Sequence, residues 1–104
     1  MRHIGLVLPL DEQFYRDDHL FVHLRHQVVM FDGEAITLTR VEYRLWALLL
    51  KHAGEVVPRP ILLTLTPTVD AHVWRLQKKT REYAYQYIEG VGVVGYRFRH
   101  WPKS

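Results

Sequence analysis

The chain contains no cysteine, which excludes a disulfide scaffold and any thiolate-ligated metal site. Its apolar runs are a handful of residues long, against the ~20 that a bilayer crossing needs, so no membrane span is expected. The start, Met1-Arg2-His3-Ile4-Gly5, reaches Pro9 and then acidic residues before a continuous apolar segment can form. It does not read as a signal peptide, and a cytoplasmic protein is the expectation. Repeats, low-complexity tracts and linkers are missing. Missing too are a nucleophile elbow, a phosphate-binding glycine loop followed by a helix, and paired catalytic carboxylates, so neither an enzyme nor a cofactor is expected. Seven histidines are present, three of them close together at His19, His23 and His26. Strand alternation would put His26 opposite the other two, and no metal site is expected.

What remains is 104 residues, 48% of them hydrophobic, which predicts a single domain over residues 1–104 with a small core. Charge is unevenly spread. Residues 1–38 hold three basic and six acidic side chains, a net −3, whereas residues 39–104 hold eleven basic and five acidic, a net +6. Arg75, Lys78, Lys79 and Arg81 cluster, and beyond Glu89 the tail is basic only. An acidic end and a basic end suit orientation against a polyanion, although solvated charge for solubility explains the composition equally well.

Hydrophobic periodicity divides the chain. Ile4, Leu6 and Leu8 alternate, as do Leu20, Val22 and Leu24; Val28–Phe31 is a third apolar run closed by the turn pair Asp32-Gly33, and Ile36 with Leu38 begins a fourth. A small antiparallel sheet over residues 1–38 is predicted. Thr39-Arg40-Val41-Glu42 is a capping box, and Val41, Leu45, Leu48 and Leu49 then recur at helical spacing beside Trp46 until Gly54 stops the helix. Val56-Val57 allows a bridging strand, and Pro58 to Leu63 allows a short second helix. Thr66-Pro67 predicts the start of a third helix running from Pro67 to about Arg81. On it Val69, Val73, Leu76, Thr80 and Tyr83 form a buried stripe, with Ala71, Trp74, Arg75 and Lys78 opposite and Thr68 at the margin. The helical core therefore covers residues 39–84. Tyr85, Tyr87 and Ile88, the glycines 90, 92 and 95, and Tyr96-Arg97-Phe98 predict a closing β-hairpin over residues 85–100. The fold class is α+β: a winged helix-turn-helix with an N-terminal antiparallel sheet, three helices and a hairpin wing. Such an arrangement places one helix in a DNA major groove with the hairpin beside it.

The run Thr68 to Lys79, followed by Ile88-Glu89 and Gly95-Tyr96-Arg97-Phe98, resembles the OmpR/PhoB-type winged-helix effector domain, as does the upstream stretch Asp32-Gly33-Glu34 through Leu38 to Leu45. The resemblance covers roughly residues 20–100. It implies a four-stranded N-terminal sheet, and double-stranded DNA as partner, bound as a homodimer or tandem pair. It puts Thr68, Ala71, His72, Trp74, Arg75 and Lys78 on the groove-facing side of the recognition helix, Arg59 near phosphate, and Tyr96 in the wing near the backbone, with Arg97 beside it. Lys78 and Lys79 are read as sequence-independent phosphate attraction. Arg75 is read as a guanine contact or a phosphate clamp. His72 either meets a base edge or packs at the edge of the stripe.

Four departures set this chain apart from the family pattern. Only Thr64 to Pro67 separate Leu63 from Thr68, which shortens the loop that family members use to touch RNA polymerase. Gly90-Val91-Gly92-Val93 fills the wing where the family carries an arginine. Gln77 replaces an arginine, and Trp74 stands at a polar or basic position. Finally, the residues before Thr39 are too few for a phosphoacceptor domain, so phosphorelay control is not expected within this chain. These departures favour a repressor or a partner-dependent regulator. Trp74 leaves three roles open: contact with thymine methyls or sugars, cover by a neighbouring loop, or a protein anchor. The last would make the chain a protein-binding winged helix, an antirepressor or an RNA polymerase-binding inhibitor.

Overall fold

The computed structural model describes residues 14–81 and 87–99. The chain forms two compact units that meet in sequence between Thr37 and Leu38. In the first unit, β1 (Phe14–Arg16), β2 (Leu20–His23), β3 (Val28–Phe31) and β4 (Glu34–Ala35) make an antiparallel sheet in that order. Tyr15, Leu20, Val22, Val29 and Phe31 are buried, and the period-2 alternation explains why they share a face. Asp17 builds the β1–β2 turn, its Oδ1 accepting from the His19 and Leu20 amides. Asp32 and Gly33 both take positive φ, 50° and 85°, the two-residue hairpin geometry that needs a residue free of steric penalty at left-handed φ.

Three expectations change here. The fourth strand is Glu34–Ala35 rather than a run beginning at Ile36, because the two-residue turn pairs Glu34 with Phe31 at once. The strand β1 has no counterpart in the sequence reading; its three residues are too few to show alternation. His26 does not oppose His23: β2 ends at His23, the chain turns with Gln27 at φ 57°, and the two imidazoles stack with centroids 4.3 Å apart. Ile4, Leu6, Leu8, Tyr83 and Tyr85 lie outside the described residues.

The second unit contains α1 (Arg40–Lys51), β5 (Val56–Pro58), α2 (Arg59–Leu62), α3 (Val69–Arg81), β6 (Ile88–Val91) and β7 (Gly95–Phe98). The capping box at Thr39 is formed: its hydroxyl accepts from the Glu42 amide at 3.2 Å, while Glu42 Oε1 accepts from the Thr39 amide at 2.9 Å. The buried stripe of α3 is Val69, Val73, Leu76 and Thr80. That helix starts two residues later than expected. Pro67 precedes it, and Thr66 is buried with its hydroxyl accepting from the Thr68 amide at 3.2 Å, so the Thr-Pro pair shapes the approach instead of opening the first turn.

β5, β7 and β6 form a three-stranded antiparallel sheet in that order, which makes Val56–Pro58 the third strand of the wing. Trp46 from α1 meets Phe98 edge-on at 5.5 Å and Tyr87 at 6.4 Å, and Tyr87 stacks on Phe98 at 5.5 Å. This aromatic trio ties α1 to the hairpin, in the edge-to-face and offset geometries that aromatic quadrupoles favour. A buried ion pair ties α1 to α3: Lys79 Nζ donates to Glu42 Oε1 at 2.6 Å, with the Glu42 side chain 2% and the Lys79 side chain 34% exposed. Burial pushes the Glu42 carboxyl upward, but the Lys79 and Thr39 hydrogen bonds and the charges of Lys79 and Arg75 prevail and hold it below its ordinary value.

Two outcomes follow for stability. An ideal Cβ at Gly95 would lie 2.1 Å from the Val57 carbonyl oxygen and 3.0 Å from Pro58 Cα, so Gly95→Ala must push β5 and β7 apart. A loss of about 1–3 kcal/mol in urea unfolding is expected, while Gly90→Ala, which meets only the Tyr96 ring at 3.4 Å, should stay close to wild type. Lys79→Gln leaves the buried Glu42 charge without its cation and should cost about 1–3 kcal/mol near neutral pH, less than a fully buried pair because the ammonium is partly hydrated. A carboxyl held low in the folded state stabilises above its unfolded pKa and loses that contribution as pH falls through the folded value. The gap between wild type and Lys79→Gln should therefore close on acidification below about pH 4.5, the ordinary value for the group, in thermal melts taken across that range.

Candidate nucleic-acid interface

The helical period of α3 puts its buried stripe inward and leaves Thr68, Ala71, Trp74, Arg75 and Lys78 exposed, with His72 half-buried between the two faces. Trp74 is 56% exposed. Lys78 Nζ sits over its ring at 4.8 Å, an i,i+4 cation–π pair that couples the two side chains. One turn earlier, Arg75 Nη1 lies 3.2 Å from His72 Nδ1. Among the described residues no carboxylate stands within ion-pair distance of Arg75 or Lys78. The outward face of α3 thus presents two cations and an indole.

The other residues singled out from the sequence are placed differently. Lys79, one position beyond Lys78, turns toward α1 and holds Glu42. Arg97 is paired across the wing hairpin with Glu89, its Nε and Nη2 donating to one carboxylate oxygen at 3.0 and 2.8 Å. Arg59 and Tyr96 converge on Asp70 in the first turn of α3: Arg59 Nη1 donates to Asp70 Oδ1 at 2.9 Å and the Tyr96 hydroxyl donates to the same oxygen at 2.6 Å. The Arg59 guanidinium also lies over the Tyr96 ring at 5.8 Å. The Tyr96 and Arg59 hydrogen bonds hold the Asp70 carboxyl below its ordinary value, while burial and the Asp70 bond push the Tyr96 phenol up. Of the ten positions, four (Ala71, Trp74, Arg75 and Lys78) are exposed on α3, His72 lies at the edge of that face and Thr68 just before the helix. Two are gathered at the first turn of α3, and two are engaged elsewhere.

Two residues that position this surface were not among the expected site residues. Asp70 joins α2, α3 and β7 through one oxygen. Gln77, noted in the sequence only for replacing an arginine, donates from Nε2 to the Ile88 carbonyl at 3.0 Å and so fixes α3 to the start of the wing. Neither role has a local signal, since both partners lie at least eleven residues away along the chain. At the tip of the wing Val93 is 89% and Val94 55% exposed, and the loop residues 92–94 carry no charge.

Residues 33–98, more than half of the chain, match the family described as "Transcriptional regulatory protein, C terminal". Among curated proteins, the chain is 38% identical over 73 residues to the transcriptional regulatory protein VxrB of Vibrio cholerae, covering 62% of this chain and 30% of VxrB. It is 32% identical over 102 residues to the transcriptional regulatory protein CusR of Escherichia coli K12, covering 88% of this chain and 44% of CusR. The chain thus spans less than half the length of either relative. Among solved structures, the DNA-binding domain of CpxR from E. coli superposes with a TM-score of 0.70 at 28% identity, over 83% of this chain and 95% of that one. The DNA-binding domain of Klebsiella pneumoniae RstA, solved in complex with the RstA box, superposes with a TM-score of 0.71 at 26% identity, over 83% and 96%. With the sheet, three helices and wing in the same order, and the family match running from the Asp32-Gly33 turn through the capping box and α3 to β7, this chain belongs to the OmpR/PhoB-type family of winged-helix DNA-binding domains.

Proposed function

We propose that this chain binds duplex DNA with sequence preference as the DNA-binding part of a transcription regulator, with the outward face of α3 in the major groove and the wing against the neighbouring backbone. The observation that carries this reading is the pair Arg75 and Lys78 on one exposed face, without a carboxylate partner among the described residues. A planar guanidinium on a groove-lining helix matches the O6 and N7 acceptors of guanine, and Lys78 is suited to phosphate. Trp74, lying between them under the Lys78 ammonium, offers an apolar plate to a thymine methyl or a sugar. The RstA domain, of the same fold, is one that forms a complex with its DNA box.

Lys79 and Arg97 belong to the folding of the domain in this reading, since their carboxylate partners occupy them. Only Leu63 to Thr68 separate α2 from α3, which leaves little loop for contact with RNA polymerase and supports repression or action through a partner regulator. One copy presents few base-reading side chains. Two copies, as a homodimer or a tandem pair, would supply affinity by effective concentration. The 56% exposure of Trp74 favours a second reading, in which the same face anchors a protein partner instead of DNA.

Titration of labelled duplexes, first selected from a random pool and then varied in salt, tests both readings. Arg75→Ala should cost about 1–3 kcal/mol on the selected duplex and relax base preference at one position. Lys78→Ala should weaken all duplexes alike and flatten the dependence of log K on log salt by about 1. Binding that ignores salt, together with a protein partner released by Trp74→Ala, would establish the second reading instead.

A further inference from the structure

Two groups suited to a DNA phosphate, the Arg59 guanidinium and the Tyr96 hydroxyl, both already donate to one oxygen of Asp70. We propose that Asp70 is an internal stand-in for a backbone phosphate: it occupies the oxyanion position between Arg59 and Tyr96 and sets duplex affinity by competing with DNA for those two donors. A phosphate oxygen is held by the same kind of contact, one cationic fork and one hydroxyl. The inference rests on the reading that the α3 face meets duplex DNA, and it adds a limit on how strongly.

The three internal ion pairs that bear on this surface differ in how readily they can be exchanged. Glu42 is buried, so removing Lys79 from it strands a charge away from water, and no incoming phosphate can compensate. Arg97 and Glu89 are cross-strand partners held through two nitrogens. Asp70 is different: its side chain is 65% exposed, and Arg59, 33% exposed, gives it one nitrogen only. A pair of this kind sits in high dielectric and is weak. Once released, Asp70 is solvated where it stands, and the Arg59 nitrogen and Tyr96 hydroxyl that it held are freed for another acceptor. Competition is therefore easiest at Asp70, the most exposed of the three carboxylates (65%, against 37% for Glu89 and 2% for Glu42) and held by a single guanidinium nitrogen. The Tyr96 and Arg59 bonds depress the Asp70 carboxyl, and the same Tyr96–Asp70 bond adds to burial in raising the Tyr96 phenol.

The test is a double-mutant cycle on binding of a random-sequence duplex, read by anisotropy between 0.05 and 0.3 M salt (roughly the range over which phosphate contacts dominate). Asp70→Asn keeps the shape and the acceptor oxygen but removes the charge. It should tighten binding about eightfold at ~0.1 M salt and steepen the salt slope by ~0.9, the effect of one added phosphate contact. That gain should vanish when Arg59→Gln is also present. A gain that persists in the Arg59→Gln background would mean that only net charge had changed, and would overturn the proposal. So would unchanged or weaker binding by Asp70→Asn, which would make Asp70 a scaffold for Arg59. Asp70→Ser, which also removes the charge, repeats the cycle if the amide perturbs folding in a thermal melt. Arg75→Ala, run alongside on the duplex selected from a random pool, reports separately on the α3 face. If it leaves duplex binding intact while the Asp70 cycle behaves as stated, the groove reading fails and the phosphate site stands.

Discussion

One carboxylate oxygen, Oε1 of Glu42, accepts from the backbone amide that opens α1 and from the ammonium of Lys79 near the end of α3. Capping a helix and anchoring another with the same buried atom couples the start of the helical core to the orientation of the helix that carries the basic surface. With Lys79 drawn inward, the 100° step of the helix sends Lys78 outward, and Trp74 with it. Arg75, one turn before Lys79, is exposed yet close enough for its charge to act on Glu42. The rotation of α3 about its axis is thus set jointly by the apolar stripe of Val69, Val73 and Leu76 and by this ion pair. Gln77 adds a third restraint where α3 approaches β6.

Carboxylates then sort five cations of the second unit, on α2, α3 and β7, into two groups. Lys79, Arg97 and Arg59 are matched by Glu42, Glu89 and Asp70, while Arg75 and Lys78 have imidazole and indole neighbours in place of acids. An unpaired cation on a rigid helix keeps its full attraction for a polyanion, whereas a paired one must first give up a partner. On α3 the two cations without a contacting acid, Arg75 and Lys78, are both exposed, although basic residues occur throughout residues 39–104.

The wing follows from a close approach and not from charge. Gly95 lets the β7 backbone run against Val57 and Pro58 where any side chain would collide. The sheet that results sets Tyr96 within reach of Asp70 and leaves Val93 and Val94 at the tip. With no cation in the tip loop, the wing has polar reach through Tyr96 at its base and apolar surface at its end.

Periodicity and local chemistry in the sequence by themselves determined the element order, the capping box at Thr39, the Asp32-Gly33 turn, and the division of α3 into a buried stripe and a basic outer face. Each of these depends on residues within a few positions of one another, where side-chain spacing and backbone preference act directly. Only the tertiary structure decided which basic residues meet a carboxylate, because Lys79 finds its partner 37 residues away and Arg59 one 11 residues away. Asp70, silent in the sequence, owes its place beside the candidate interface to the same cause. A carboxylate captures whichever cation the fold brings within 3 Å, and no pattern along the chain records that distance.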